Sequence, residues 1–586
     1  MQEQANESLP LRNKINLSYS SQRSDISATF SHLALFFISA LIINAIYILR
    51  INHIIGQFND DAFYLVLAKS IAEHGTYQLI SSPIQGIQPV YPPGFPLILA
   101  IVLRIISLKP DELWMLKGIS IGAMNFLGIG TYFYCRKIKE YPFLISWLAS
   151  LMISILPAFV FIATSYVLSE CVFACAQLWA VVYLEKVILK NRVRFSSIGV
   201  LLLLAATTYF TRSLGLALVI GIAFQLWRYT PRKYVLTFIG GIGLLIVSWG
   251  FYTKISYPNQ ALRANHGGHI VVGYKEQLTY KIAGDNLSGL ATTSDYFYRI
   301  TGNLSSVVGR DMLGIFLPAT LRDETRSGEE AFGLGGVESL AKTIPFALSA
   351  NVLSWIFSLI ILIGFIAQCR KELTSVEILT PLTLILIAIW PWLTFRFVLP
   401  LAPFLIAYFI DGTKQLALWL THRFNRDFDS FAIARIALFC FIFFFCLEHL
   451  RYINIFRANP SAIPNVKFGL HLDETCRWIN ANLPTDSVVV STNSAKVFLM
   501  TNRLSVSGEL TEQGWNYWKQ SGIRYMAVLR VIKDGPLEKK YKTVFATATT
   551  PSLHVIDLGD PSDRESWRDF NAWWQKEVER TASLNN

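Results

Sequence analysis

Two adjacent carboxylates, Asp60 and Asp61, are the side chains of this sequence whose types and spacing best suit chemistry. They stand at the start of a helix predicted over residues 59–75, with Asn59 ahead of them and Gly75 as the stop. A carboxylate placed there can accept the proton of a hydroxyl group that attacks another molecule. The alternative is that Asn59 and Asp60 only cap the helix and face its positive dipole end. From the residues alone, capping is the simpler interpretation.

Cations are the second group of candidates. Arg212 and Arg396 are expected on the same side of the protein as the acidic pair. A guanidinium group beside a phosphate stabilises the negative charge that grows as a phosphate leaving group departs. The alternative is contact with lipid headgroups. Glu170, next to Ser169 at a predicted helix start, could orient an acceptor or a metal, or be one more helix-start carboxylate.

Two further motifs carry weaker signals. The segment 89–96, Pro-Val-Tyr-Pro-Pro-Gly-Phe-Pro, predicts a rigid turn because stacked prolines prevent a helix from continuing. His266 and His269 could bind a metal, but no third ligand stands at a suitable spacing. The sequence therefore establishes no cofactor and leaves a divalent metal open.

Apolar runs of roughly twenty residues recur along the chain, which is the length that crosses the hydrocarbon core of a bilayer. Backbone amides inside hydrocarbon need internal partners, so these runs are predicted to be helices. The runs are Phe30–Leu49, Leu113–Cys135, Tyr141–Ala163, Leu168–Val187, Tyr234–Phe251, Ile344–Ala367, Ile378–Leu393, Phe397–Ile410 and Phe431–Leu447.

The net charge of +12 does not indicate nucleic acid, because the basic residues alternate with apolar runs instead of forming one patch. They cluster at alternate helix ends, as in cytoplasmic loops. This places residues 1–29, which lack a signal-peptide pattern, in a cytosolic tail. The first loop, residues 51–111, is then expected outside the cytoplasm.

About eleven crossings fit this alternation. Two shorter runs, Phe195–Tyr209 and Leu214–Trp227, predict a hairpin with Arg212 at its outer tip, where a charge is tolerated. The segment 94–107 is apolar but short, and it is expected to lie along the outer membrane surface or to re-enter the membrane, because a crossing would invert every later basic loop. The helix over 59–75 is expected to lie along the membrane surface, and the loop 253–342 could be a lid over an outward-facing site.

The remainder, residues 454–586, predicts a small extracytoplasmic α/β domain after a membrane core of residues 30–453. Strands are predicted over 487–491, 523–530, 542–546 and 554–557, with helices over 473–481 and 512–520 and a last helix from Ser562. Most of the seven cysteines lie in predicted membrane helices, and no disulfide framework is indicated.

Five motifs in this order resemble those of the GT-C membrane glycosyltransferases, especially bacterial protein O-mannosyltransferases, lipid A aminoarabinose transferases and lipopolysaccharide galacturonosyltransferases. The resemblance covers about residues 30–415. The motifs are Asp60-Asp61-Ala62-Phe63-Tyr64, Tyr91-Pro92-Pro93-Gly94-Phe95-Pro96, Ser169-Glu170, Thr211-Arg212 and the segment Arg396-Phe397-Val398-Leu399-Pro400.

The resemblance implies a polytopic α-helical protein with a GT-C-like fold that transfers a sugar, with inversion, from a polyprenyl-phosphate carrier to an acceptor hydroxyl. It implies Asp60 as the general base, with Asp61 shaping the pocket or sharing the charge. Tyr64, Tyr91 and Glu170 would position substrates. Tyr91 stands where the aminoarabinose enzymes have a phosphate-binding lysine, so phosphate contact would fall to Arg212 and Arg396.

Several alternatives remain open from sequence. One is a transporter or flippase of lipid-linked glycans, although such a protein would place charges near mid-membrane and show inverted halves. Another is a non-catalytic subunit of a glycan assembly complex. The sugar and the nature of the acceptor (lipid, glycan or protein) are not indicated.

Overall fold

The computed structural model describes residues 32–83, 86–189, 192–256, 273–281, 289–316, 350–392, 394–425, 429–491, 493–507, 518, 522–528, 542–547 and 553–558. The chain divides into two compact units, residues 1–49 and residues 50–586. All the candidate site residues belong to the second unit.

Helices make up most of the described chain. Up to residue 256 they are α1 (His32–Arg50), α2 (Asn59–His74), α3 (Gly94–Ile105), α4 (Lys117–Phe133), α5 (Phe143–Ser154), α6 (Pro157–Ser165), α7 (Glu170–Leu189), α8 (Phe195–Thr211), α9 (Leu216–Tyr229) and α10 (Arg232–Ile255). They continue with α11 (Tyr274–Thr279), α12 (Thr293–Ser306), α13 (Ala350–Lys371), α14 (Ser375–Ile389), α15 (Ala402–Phe424), α16 (Ala432–Ala458), α17 (Pro464–Asn482) and α18 (Ser494–Thr501).

Within the described ranges, 8 helical stretches are long and apolar enough to cross a membrane. Helices α8, α9 and α14 are apolar but shorter, and α3 has only 12 residues. The eight stretches together with α8, α9 and α14 would give the predicted number of crossings, and the total stays a prediction. The short α3 agrees with the expectation that residues 94–107 do not cross.

Large apolar side chains are exposed along whole helix faces. On α10, Leu236, Leu244 and Val247 have exposed fractions of 69%, 68% and 68%, and α16 exposes Ile436 and Phe443 in the same way. Apolar patches of this extent are rare on soluble monomers, whereas lipid covers them without cost. The protein is therefore a polytopic α-helical integral membrane protein.

Helix α2 is buried in protein. Residues 62–68 are at most 8% exposed, and the helix packs against α3 and against α18 from the C-terminal region. Protein therefore covers the apolar residues of this helix, and its course along the membrane surface stays a prediction. Its predicted stop is confirmed: Gly75 adopts a left-handed conformation with φ 68°.

A five-stranded sheet follows the last long helix. Its strands are β1 (Val489–Ser491), β2 (Ser505–Ser507), β3 (Tyr525–Val528), β4 (Lys542–Ala546) and β5 (His554–Asp557), in the order β2-β1-β3-β5-β4. Strand β1 pairs in parallel with β2 and β3, and β5 pairs antiparallel with β3 and β4. Leu472 and Ile479 of α17 pack on Val489, Ala527 and Val555 of the sheet.

Four of the strands overlap the predicted ones, which confirms an α/β arrangement in this region. Strand β2 and helix α18 were not predicted. Their sequences are only 3 and 8 residues long, too short for a periodic pattern to stand out. The predicted helices over 512–520 and from Ser562 lie outside the described residues, apart from Trp518.

Candidate active site

Asp60 occupies the first turn of α2 and is the more exposed member of the acidic pair. Its side chain is 28% exposed. One carboxylate oxygen, Oδ2, lies 3.0 Å from Nη1 of Arg396, and the other, Oδ1, accepts a hydrogen bond of 2.7 Å from the Tyr91 hydroxyl. Asp60 and Arg396 are 336 positions apart in sequence, so only the fold brings them together.

Glu170 joins the two arginines at the start of α7. Its Oε1 accepts hydrogen bonds from Nε and Nη2 of Arg396, at 2.8 and 2.5 Å, and lies 2.8 Å from Nη1 of Arg212. The Glu170 side chain is fully buried, and the two arginine side chains are 12–14% exposed. Buried charges of this kind are tolerated when they are paired and hydrogen-bonded. We call Asp60, Glu170, Arg212 and Arg396 the four-charge cluster.

The four-charge cluster balances two carboxylates against two guanidinium groups. The other Glu170 oxygen, Oε2, is buried and has no hydrogen-bond partner among the described residues. Such an atom carries an uncompensated desolvation cost.

Aromatic residues wall the cluster. Phe58 lies under the Arg396 guanidinium, 4.6 Å from ring centroid to Cζ, and Phe397 lies 5.1 Å from Arg212 Cζ. Both geometries are cation–π contacts. They restrict the guanidinium planes and exclude water from one side of each cation.

Tyr91 and Tyr64 lie in contact, with ring centroids 4.9 Å apart. The Tyr64 hydroxyl is 3.1 Å from Ser169 Oγ, which also accepts a hydrogen bond of 3.3 Å from Arg212 Nη1. Burial raises the pKa of both tyrosines, so they stay protonated phenols. Tyr91 is thus a fixed hydrogen-bond donor to Asp60, a contact that the sequence did not indicate.

Asp61 points away from the four-charge cluster. It is fully buried, and its two oxygens accept hydrogen bonds from the backbone N–H groups of Gly56 and Phe58, at 2.9 and 3.1 Å. Asp61 therefore caps the helix, because it accepts a hydrogen bond from the backbone of Phe58, the residue before α2. The interpretation of Asp60 as a cap is wrong, because its oxygens bind the side chains of Tyr91 and Arg396. The structure gives Asp61 a role in shaping the loop and no contact with the cluster.

The buried position of Asp61 predicts a dependence of stability on pH. Burial raises its pKa from 3.8 to about 7, although Lys496 and Lys117 oppose the shift. An acid whose folded-state pKa is raised contributes stability that is fully present below pH 3.8 and is lost as pH rises through about 7. We expect the melting temperature of Asp61→Asn relative to wild type to increase between pH 5.5 and pH 8. A difference that does not change with pH would contradict this assignment.

The predicted hairpin tip is confirmed at Arg212, which has an extended backbone between α8 and the turn that leads to α9. The turn over 89–93 approaches it closely. A Cβ atom built on Gly94 would lie 2.7 Å from the backbone carbonyl of Phe210, so only glycine fits there. This close approach brings the Tyr91 turn beside the Arg212 tip.

Parts of the long loop 253–342 brace the site. Tyr274 donates a hydrogen bond to Val90 O (2.7 Å) and accepts one from Ser213 Oγ (2.8 Å). Asn303 Nδ2 donates to three backbone oxygens near the end of α14, at 2.7–3.2 Å. Buried Asp311 accepts a hydrogen bond from Thr394, two residues before Arg396. The sequence did not single out Tyr274, Asn303 or Asp311, because isolated polar residues in a loop form no pattern.

No metal site is evident in the described ranges: they contain no group of three or more His, Cys, Asp or Glu residues arranged to hold a metal ion. His266 and His269, the weak metal candidates from sequence, lie outside the described residues.

Searches against protein-family models and against curated proteins give no match. Solved structures do match. The chain is similar to ArnT from Cupriavidus metallidurans in the apo state, with a TM-score of 0.51 and 11% identity over 91% of this chain and 99% of that one. The same protein bound to undecaprenyl phosphate gives a TM-score of 0.51 and 9% identity over 90% and 98% of the two chains.

The apo oligosaccharyltransferase of Archaeoglobus fulgidus also matches, with a TM-score of 0.47 and 12% identity over 85% of this chain and 69% of that one. The ArnT match spans nearly all of both chains, although its identity is too low to carry an activity. It confirms the resemblance seen in the motifs at the level of architecture. The chain has the fold of the GT-C membrane glycosyltransferases.

Proposed function

We propose that this protein is an inverting glycosyltransferase that moves a sugar from a polyprenyl-phosphate carrier to an acceptor hydroxyl. The observation that supports it best is the four-charge cluster, in which an accessible aspartate and two arginines meet from distant parts of the chain. Transfer of a sugar from a lipid phosphate to a hydroxyl requires a base for the hydroxyl proton close to groups that bind the phosphate.

In the proposed reaction the acceptor oxygen attacks C1 of the sugar, and the bond from C1 to the phosphate oxygen breaks. Asp60 takes the acceptor proton, so the polyprenyl phosphate leaves without needing one. Arg396 and Arg212 stabilise the charge that develops on the phosphate. Tyr91 holds the Asp60 carboxylate by its hydroxyl, and Asp61 supports the backbone before it.

The proposed location is a cell-envelope membrane, the bacterial inner membrane, with the N-terminus in the cytoplasm. The cluster and the C-terminal region would then face outward, where the donor tail stays in lipid and the acceptor arrives from water. Membrane lipids, a polyprenyl-phosphate-linked sugar donor and a lipid, glycan or protein acceptor would be its partners.

The purified protein, incubated with undecaprenyl-phosphate-linked sugars and a cell-envelope extract as acceptor, is expected to release undecaprenyl phosphate only when donor and acceptor are both present. Chromatography of the lipid products measures this release. A parallel reaction with EDTA decides whether a divalent metal takes part. Movement of intact donor across the membrane of vesicles without release of undecaprenyl phosphate would instead support the transporter alternative. If neither release nor movement is observed, the protein would be a non-catalytic subunit.

A further inference from the structure

The segment 52–58, which precedes α2, receives hydrogen bonds from the C-terminal α/β region. Lys496 of α18 is fully buried, and its Nζ donates to the backbone carbonyl of Ile55 and to Asp473 Oδ1. A buried ammonium group is costly unless it is paired and hydrogen-bonded. Lys496 is therefore not a solvated surface lysine. Its ammonium group links the C-terminal region to the segment 52–58.

The stem of Lys496 and the backbone of the segment fit each other. Gly56 has φ +65°, and a Cβ atom there would lie 2.7 Å from Lys496 Cδ. Both the left-handed conformation and the close approach require glycine. On the neighbouring side, a Cβ atom on Gly469 of α17 would lie 2.2 Å from Gln57 Nε2.

Asn493 makes the next contact. Its Nδ2 donates a hydrogen bond of 2.7 Å to Gly56 O, while its Oδ1 accepts one from the backbone of Lys496 and so caps α18. Farther along the first loop, the backbone N–H of Ser505 donates to Ser81 O at 2.8 Å. The C-terminal region thus binds the first loop at several separate points.

The membrane helices hold the same segment from the other side. Lys117 of α4, also fully buried, donates to the carbonyls of Asn52 and Ile54 at 2.8 and 2.7 Å. Asp61 accepts from Gly56 and Phe58, as described above. Side chains therefore hold the backbone of the segment 52–58, immediately before Asp60: two lysines (Lys117 and Lys496), the amide of Asn493 and the carboxylate of Asp61.

We propose that Lys496 and Asn493 are positioning residues for the transfer reaction, through which the C-terminal region sets the place of Asp60 against Arg396. The inference rests on the proposed function. In the part of the C-terminal region that the structure describes, the contacts run to the first loop, including the segment 52–58, and not to the four-charge cluster.

The test replaces Lys496 by Met, which keeps an unbranched stem and removes the ammonium group. A displaced base costs on the order of 100-fold in kcat. The donor KM is expected to change much less, because Glu170 still holds both arginines. Lys542→Met is the matched control, since Lys542 is exposed on β4 of the same region and its loss should leave kcat unchanged.

Asn493→Ser is the second variant, in case Lys496→Met does not fold. Serine retains an oxygen that can cap α18 but cannot reach Gly56 O. The expected result is again a lower kcat with a similar KM. Thermal unfolding in detergent shows whether each variant is folded before activity is compared.

Hydrogen–deuterium exchange of the peptide covering residues 53–61 provides a readout that does not need activity. We expect faster exchange there in Lys496→Met and Asn493→Ser, and no change in Lys542→Met. Unchanged exchange, or a wild-type kcat in both folded variants, would overturn the inference. If residues 53–61 exchange slowly in the wild type but the protein transfers no sugar, the proposed function is wrong, although the contacts between the C-terminal region and the segment 52–58 are real.

Discussion

Asp60→Asn is expected to reduce sugar transfer by about 10²–10⁴-fold, the range that a positioned general base contributes. Asparagine keeps the shape and can still accept from Tyr91, but it cannot take the acceptor proton. Binding of the donor should be little affected, because the arginines and Glu170 remain. The measurement is the rate of undecaprenyl phosphate release by purified protein at saturating donor.

Asp111→Asn serves as the control, since Asp111 is an exposed carboxylate near the end of the same loop. It should retain the wild-type rate. Equal rates for Asp60→Asn and wild type, with both proteins folded, would refute the role of Asp60 as base.

Arg396→Lys is expected to lower kcat by about 10²–10³-fold, as loss of a fixed electrostatic contact does. Arg396 directs three nitrogens at two carboxylates, and the single ammonium of lysine cannot reproduce this planar geometry. Glu170 and Asp60 would then lie close together with less compensation. The donor KM should rise as well, because Arg396 is one of the two proposed phosphate contacts.

Arg104→Lys is the matched change at an exposed position of α3, where Nε makes one hydrogen bond to a backbone oxygen. Its kinetics should match the wild type. A variant at Arg396 with unchanged kcat and KM would show that Arg396 only stabilises the fold, and phosphate binding would have to be assigned elsewhere.

The membrane architecture was predictable from sequence, for a physical reason. Hydrocarbon demands long apolar helices, and the runs that became α10 and α16 have no other stable form. The hairpin tip at Arg212 followed from the same argument, because a charged residue between two short apolar runs marks the break between two helices. These features depend on local composition alone.

The detail of the site was not predictable, because it depends on contacts between distant residues. Composition and spacing do not tell which of two adjacent aspartates faces the arginines, because a step of roughly 100° per residue along a helix sends them in different directions; only the resemblance to the GT-C enzymes implied Asp60. The hydrogen bond from Tyr91 to Asp60 depends on where the Tyr91 turn lies, and Gly94 lets that turn approach the backbone of Phe210 closely. The burial of α2 depends on α3 and on α18, and sequence patterns did not reveal α18.

The charge balance of the four-charge cluster has a consequence for turnover. In the proposed reaction the donor is a phosphodiester with one negative charge, whereas the released polyprenyl phosphate is a monoester with a charge of roughly −1.5 to −2 at neutral pH. Two arginines that suit the developing charge will hold the spent carrier more tightly than the fresh donor. Departure of the carrier into the lipid, and not bond exchange, would then limit the enzyme at steady state, and the first turnover would be the fastest.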